Sequence, residues 1–127
     1  MRPFLLAAAL ALTPCFVANA AQSATPAVAA RTPAAEIDAL IDRVAHAKGI
    51  VFIRNGSEHT AAEAAAHLQR KRKAAGDRIR TPEDFIDQLG ARSSMTGKPY
   101  RVRLPDGREI DSAAWMTGLL RDIRAGR

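Results

Sequence analysis

Residues 21–34 read AQSATPAVAARTPA, with two prolines, one charge and no aliphatic side chain larger than valine. Such a stretch cannot bury enough apolar surface to offset the entropy of ordering it, so it is expected to be a flexible linker. The twenty residues before it read as an address. Met1-Arg2 supplies a positive charge, Phe4 to Leu12 is an unbroken run of nine apolar residues, and Ala18-Asn19-Ala20 offers a small-x-small cleavage site. That is the three-part pattern of a secretory signal peptide, residues 1–20, cleaved near Ala20. Thr13, Pro14 and Asn19 keep the apolar stretch short of the roughly 20 residues of a membrane-spanning helix. Pro14, directly before Cys15, makes a poor lipobox. Everything that folds is therefore expected in residues 35–127, a single domain, periplasmic or secreted, with no transmembrane segment once the signal is removed.

Composition narrows the class further. The chain has 127 residues and one cysteine, so a disulfide scaffold or a cysteine-built metal site is excluded. Its 19 basic and 13 acidic residues give a formal charge of +6. In a cytoplasmic protein that balance would point to nucleic acid. An exported protein meets other anions, namely lipid headgroups, lipopolysaccharide phosphates and peptidoglycan carboxylates. Aromatics make up 5%, and Phe4 and Phe16 fall in the signal, so the stacking set of a single-strand binder is missing. No nucleic-acid partner is expected.

Within the folding part, Ile37, Leu40, Ile41 and Val44 recur at helical spacing and predict a helix over about Ala34 to Lys48, stopped by Gly49. Ile50 to Ile53 follows as a short buried strand, ended by an Asn55-Gly56 turn. Thr60 and Glu63 form a capping box for a second helix, whose Ala61, Ala64, Ala65, Leu68, Ala75 and Ile79 make a stripe of mostly small side chains. Thr81-Pro82-Glu83-Asp84 opens a third, with Phe85, Ile86 and Leu89 inward and Gly90 at its end. Ala91 to Pro99 is a polar loop. Tyr100, Val102 and Leu104 share one face of a strand, Pro105-Asp106-Gly107 turns, and Arg108 to Ile110 returns. Ser112 is expected to cap a fourth helix with Trp115, Met116, Leu119, Leu120 and Ile123 inward. The sum is a small α+β domain of about four short helices and a two- to three-stranded antiparallel sheet.

One ordered series runs through these elements: Phe52-Ile53-Arg54-Asn55-Gly56, His59-Thr60, Glu63-Ala64, His67-Leu68, Lys71, Arg78-Ile79, Thr81, Phe85-Ile86, and Ser93-Ser94-Met95-Thr96-Gly97-Lys98-Pro99-Tyr100. The series resembles the YfeK-like family of small exported bacterial proteins of unknown function, over about Ile37 to Val102. The resemblance implies a periplasmic domain and brings no established activity.

The polar members of that series are the candidate ligand-binding residues. Glu63, His67 and Lys71 are spaced i, i+4, i+8 and form a seam beside the apolar stripe. Read blandly, the seam is a solvated ladder. Read sharply, Lys71 clamps an anion and His67 donates or carries a proton. His59, Glu63 and His67 would make a metal set, but His59 lies before the helix cap and no tight HxxxH pair exists, so no metal and no cofactor are expected. Arg54, Asn55 and Gly56 lie at a strand end just before a helix start, where Gly56, the free amides and a bidentate Arg54 suit an anion; the plain alternative is a turn with an exposed arginine. Ser93, Ser94, Thr96, Gly97 and Lys98 concentrate hydroxyls and an ammonium in one loop, and Tyr100 adds a flat ring. The loop fits neither a Ser-x-x-Lys pair nor a phosphate loop. No catalytic residues are therefore assigned.

The leading expectation is a non-catalytic periplasmic binding or interaction module, whose partner is an anionic envelope component or an envelope protein. The alternative is a small envelope hydrolase or transferase using His67 with a hydroxyl of the 93–98 loop, which requires the two within hydrogen-bonding reach.

Overall fold

The computed structural model describes residues 30–127. The expected signal peptide and residues 21–29 of the expected linker lie outside the described residues. The linker's last residues already belong to the domain. Thr32 caps the first helix, its hydroxyl accepting from the Ala35 amide, and Pro33 occupies the first turn. Arg31 donates to the Ile123 carbonyl at the far end of the sequence. The first helix, α1, spans Pro33–Ala45, shorter at its C-terminus than the expected Lys48.

β1 (Val51–Arg54) leads through Asn55-Gly56 into β2 (Ser57–His59). Asn55 and Gly56 have φ of +50° and +80°. Two left-handed residues between paired Arg54 and Ser57 make the tight hairpin whose twist matches the strands. This adds a strand to the expected two or three, because Ser57-Glu58-His59 has little β preference of its own and pairs only through the turn. α2 (Ala61–Ala75) opens on the Thr60/Glu63 capping box and closes in a 3-10 turn, Gly76–Arg78. α3 (Pro82–Phe85) opens on a second capping box, Thr81/Asp84, and widens into a π-helical turn over Ile86–Gly90. β3 (Arg101–Arg103) and β4 (Glu109–Asp111) follow, then α4 (Ser112–Arg124). Ser112 is not the cap of α4, as expected, but its first residue. Its amide is committed to the Tyr100 carbonyl and its hydroxyl points at Met116, so Asp111 takes the cap position without a side-chain bond.

The four strands form one antiparallel sheet in the order β2-β1-β3-β4. His59, Phe52, Val102 and Ile110 face one another across it, so strand alternation sends Arg54 and Tyr100 to the same side. The helices pack on this side. Leu40, Val44, Phe85 and Val102 are fully buried with Met116 and Ile123. Each such side chain contributes roughly 1.5–3 kcal/mol before entropy. A Cβ on Gly90 would lie 2.7 Å from the Met116 sulfur, so glycine lets the π-turn meet α4.

The other side of the sheet carries a charge ladder. Arg101 bonds Asp111 at 2.8 Å and Arg103 bonds Glu109 at 3.1 Å. Arg103 also reaches across β1 to Glu58. The ladder lies over Val51 and Ile53.

Candidate functional site

The polar seam of α2 faces the end of the sheet where β1 stops and β3 starts. Arg54, His59, Glu63, His67 and Tyr100, all picked out by sequence, line one cavity of ≈ 40 Å³ together with Phe52, Ile53, Ala64, Arg101 and Ser112. The His67 ring meets Tyr100 edge-on, with Nε2 3.3 Å from the phenol oxygen. Lys71 comes in behind. Its ammonium donates to the Leu89 carbonyl at 2.8 Å, the Arg92 carbonyl at 3.3 Å and the Tyr100 hydroxyl at 3.4 Å, and it stands 5.0 Å from the centre of the Tyr100 ring. The carbonyls at a helix C-terminus lack partners within the helix, and Lys71 supplies one for the π-turn.

The electrostatics follow from burial and from Arg54. Burial, with the positive fields of Arg54, Lys71, Arg70 and His59, lowers the His67 pKa from 6.5 to about 4, so the ring is neutral at pH 7. Burial and Arg54 also lower Lys71, and burial raises the Tyr100 phenol. Glu63 is held below its ordinary value chiefly by the Thr60 amide it caps. Arg54 acts on all four groups. Its guanidinium has no hydrogen-bond or ion-pair partner among the described residues, and it is half-buried. The site is an electropositive hollow with an unengaged guanidinium, a phenol, a neutral imidazole and one carboxylate.

The other candidates serve different ends. Asn55 joins the hairpin tip to the polar loop: its amide donates to Ser93 Oγ at 3.5 Å and its carbonyl accepts from Thr96 Oγ1 at 2.8 Å. Ser93 is buried, and its hydroxyl also accepts from the Met95 and Thr96 amides. Ser93 and Gly97 close the loop through backbone bonds to Lys98 and Ser93. Gly56 serves the hairpin, and β2 separates it from the start of α2, where the capping box engages the Thr60 and Glu63 amides. The expected anion site at that helix start therefore does not assemble, and Arg54 turns to the cavity instead. Ser94 and the Lys98 side chain are exposed and outside the cavity wall. Among the described residues His67 makes no bond to Ser93, Ser94 or Thr96, so the imidazole–hydroxyl pair required by the hydrolase alternative is not formed. No group of three potential ligands stands close enough to hold a metal among the described residues.

Sequence reasoning missed the carbonyls of Leu89 and Arg92. An orphaned helix end at Gly90 was the available signal. It also missed Ser112, whose place in the wall follows from its bond to Tyr100, far from it in sequence.

A four-stranded antiparallel sheet, with helices on one side and a small hollow at one end, defines a compact α+β domain. Residues 31–124 match a family of unknown function (DUF5329), and the chain belongs to that family. It is similar to the uncharacterized protein YfeK of Salmonella typhimurium, 44% identical over 66 residues, which are 52% of this chain and 55% of the relative. The chain thus spans about half the length of the curated relative it matches. No solved structure matches it. No described helix is long and apolar enough to cross a membrane.

Proposed function

We propose that this protein is an exported, non-catalytic binding module that holds an anionic component of the bacterial envelope in the hollow between α2 and the sheet end. Export rests on the basic start, apolar run and Ala18-Asn19-Ala20 site. The observation that carries the binding reading is Arg54. It is turned to the helix side of the sheet and has no partner among the described residues, whereas the other two arginines of the sheet, Arg101 and Arg103, are each paired with carboxylates. A half-buried guanidinium beside Lys71, with no carboxylate on it, is a site whose counter-charge comes from a ligand. The non-catalytic reading is supported by His67 meeting Tyr100 and by the Ser93 and Thr96 hydroxyls being engaged by Asn55 and by amides of their own loop.

The test is a melt of the full chain with peptidoglycan fragments, lipopolysaccharide fragments, sulfate and phosphate, repeated on Arg54→Ala. A ligand at 100 times its Kd stabilises by about 2.7 kcal/mol. That is a Tm rise of roughly 10 °C or more for so small a domain, lost in the variant. A flat panel would overturn the reading. For export, protein recovered from the periplasm should begin at Ala21; intact Met1 in the cytoplasm would sink that half.

A further inference from the structure

We infer that the hollow takes the terminal carboxylate of a peptide or amino acid with a small side chain, in preference to a phosphate; this rests on the anion-site reading above. Donor geometry is the first ground. The three protons of Lys71 already face three oxygens, on Leu89, Arg92 and Tyr100, and Arg101 in the wall is paired with Asp111. That leaves Arg54 as the cationic donor, whose planar fork holds an oxyanion edge to edge. The second ground is charge. Glu63 stands in the wall, ionised and tied to the Thr60 amide. It repels a dianion twice as strongly as a monoanion. Last, Phe52 and Ala64 offer an apolar wall that a methyl-sized substituent fills and an inorganic phosphate does not.

The experiment is an NMR titration of the full chain, following the His67 and Tyr100 resonances with alanine, N-acetylalanine, alaninamide and inorganic phosphate. Both carboxylates should bind saturably, phosphate about tenfold more weakly or worse, and alaninamide not at all. Tighter binding of alanine, levelled by Glu63→Gln, would assign a free amino acid, whose ammonium pairs with Glu63. Tighter binding of N-acetylalanine would assign a peptide end. Arg54→Ala should abolish binding. Arg54→Lys keeps the charge without the fork, and should weaken the carboxylate about tenfold; its melt checks that the fold is intact. Phosphate binding as tight as the carboxylates, and lost in Arg54→Ala, would overturn the carboxylate assignment and leave the anion site standing. No response to any of the four would overturn both.

Discussion

The two sides of the sheet carry the same kind of residue to opposite ends. On the outer side Arg101 and Arg103 lie in a ladder with Glu58, Glu109 and Asp111. On the helix side Arg54 stands with Lys71 and His67 and no acidic partner in contact. A count of basic residues weighs all three alike. Pairing separates them: the outer arginines are already neutralised, and only the inner group keeps an unspent field. The lesson is that a net charge of +6 locates nothing until the carboxylates are placed.

The comparison can be broken most forcefully at Lys71. Lys71→Met should cost about 1–3 kcal/mol by leaving the Leu89 and Arg92 carbonyls without their donor, read as the denaturant midpoint. A cost near zero would mean that Lys71 belongs with the solvated charges. Next is acid. The unfolded chain protonates His67 near pH 6.5 and the folded protein only near 4, so the unfolded state binds more protons between them. Stability from this group is complete above about 6.5 and falls as pH drops to about 4. After allowance for solvent screening the loss is roughly 1–2 kcal/mol, and His67→Gln should remove it from the pH profile.

Outer-side changes should be smaller. Arg103→Ala should cost about 0–1 kcal/mol, fading in high salt, and should leave ligand binding unchanged. The smallest effect, and the most telling, belongs to Arg54→Ala. Removing a positive charge beside Lys71 should change stability by no more than about 0.5 kcal/mol, in the stabilising direction. The same change should raise the His67 pKa, followed by NMR. A clear destabilisation would show that Arg54 serves the fold.

Much of the fold was legible because its signals are short-ranged. The Thr60/Glu63 capping box and the Thr81 cap are contacts three residues apart and form as read; the structure adds a second capping box by turning Asp84 back to Thr81. The stripe Ile37, Leu40, Ile41 and Val44 is buried as its spacing requires. The site was legible in part: Arg54, His59, Glu63, His67 and Tyr100 do share a wall. Ser93, Thr96 and Asn55 hold the polar loop to the hairpin, and hydroxyl-rich composition does not distinguish that use from binding. Ser94, Gly97 and Lys98 lie outside the wall.

What the amino-acid order determined by itself was therefore the helices, the turns and which residues avoid water. Each of these is decided within one or two turns of chain. What tertiary structure decided was the demotion of Ser112 from cap to cavity wall and the fate of each arginine. Those depend on partners far away in sequence, such as Arg103 with Glu58 or Lys71 with Leu89. A charge's energy is set by what stands within a few ångströms of it, and only the packed chain brings those neighbours into place.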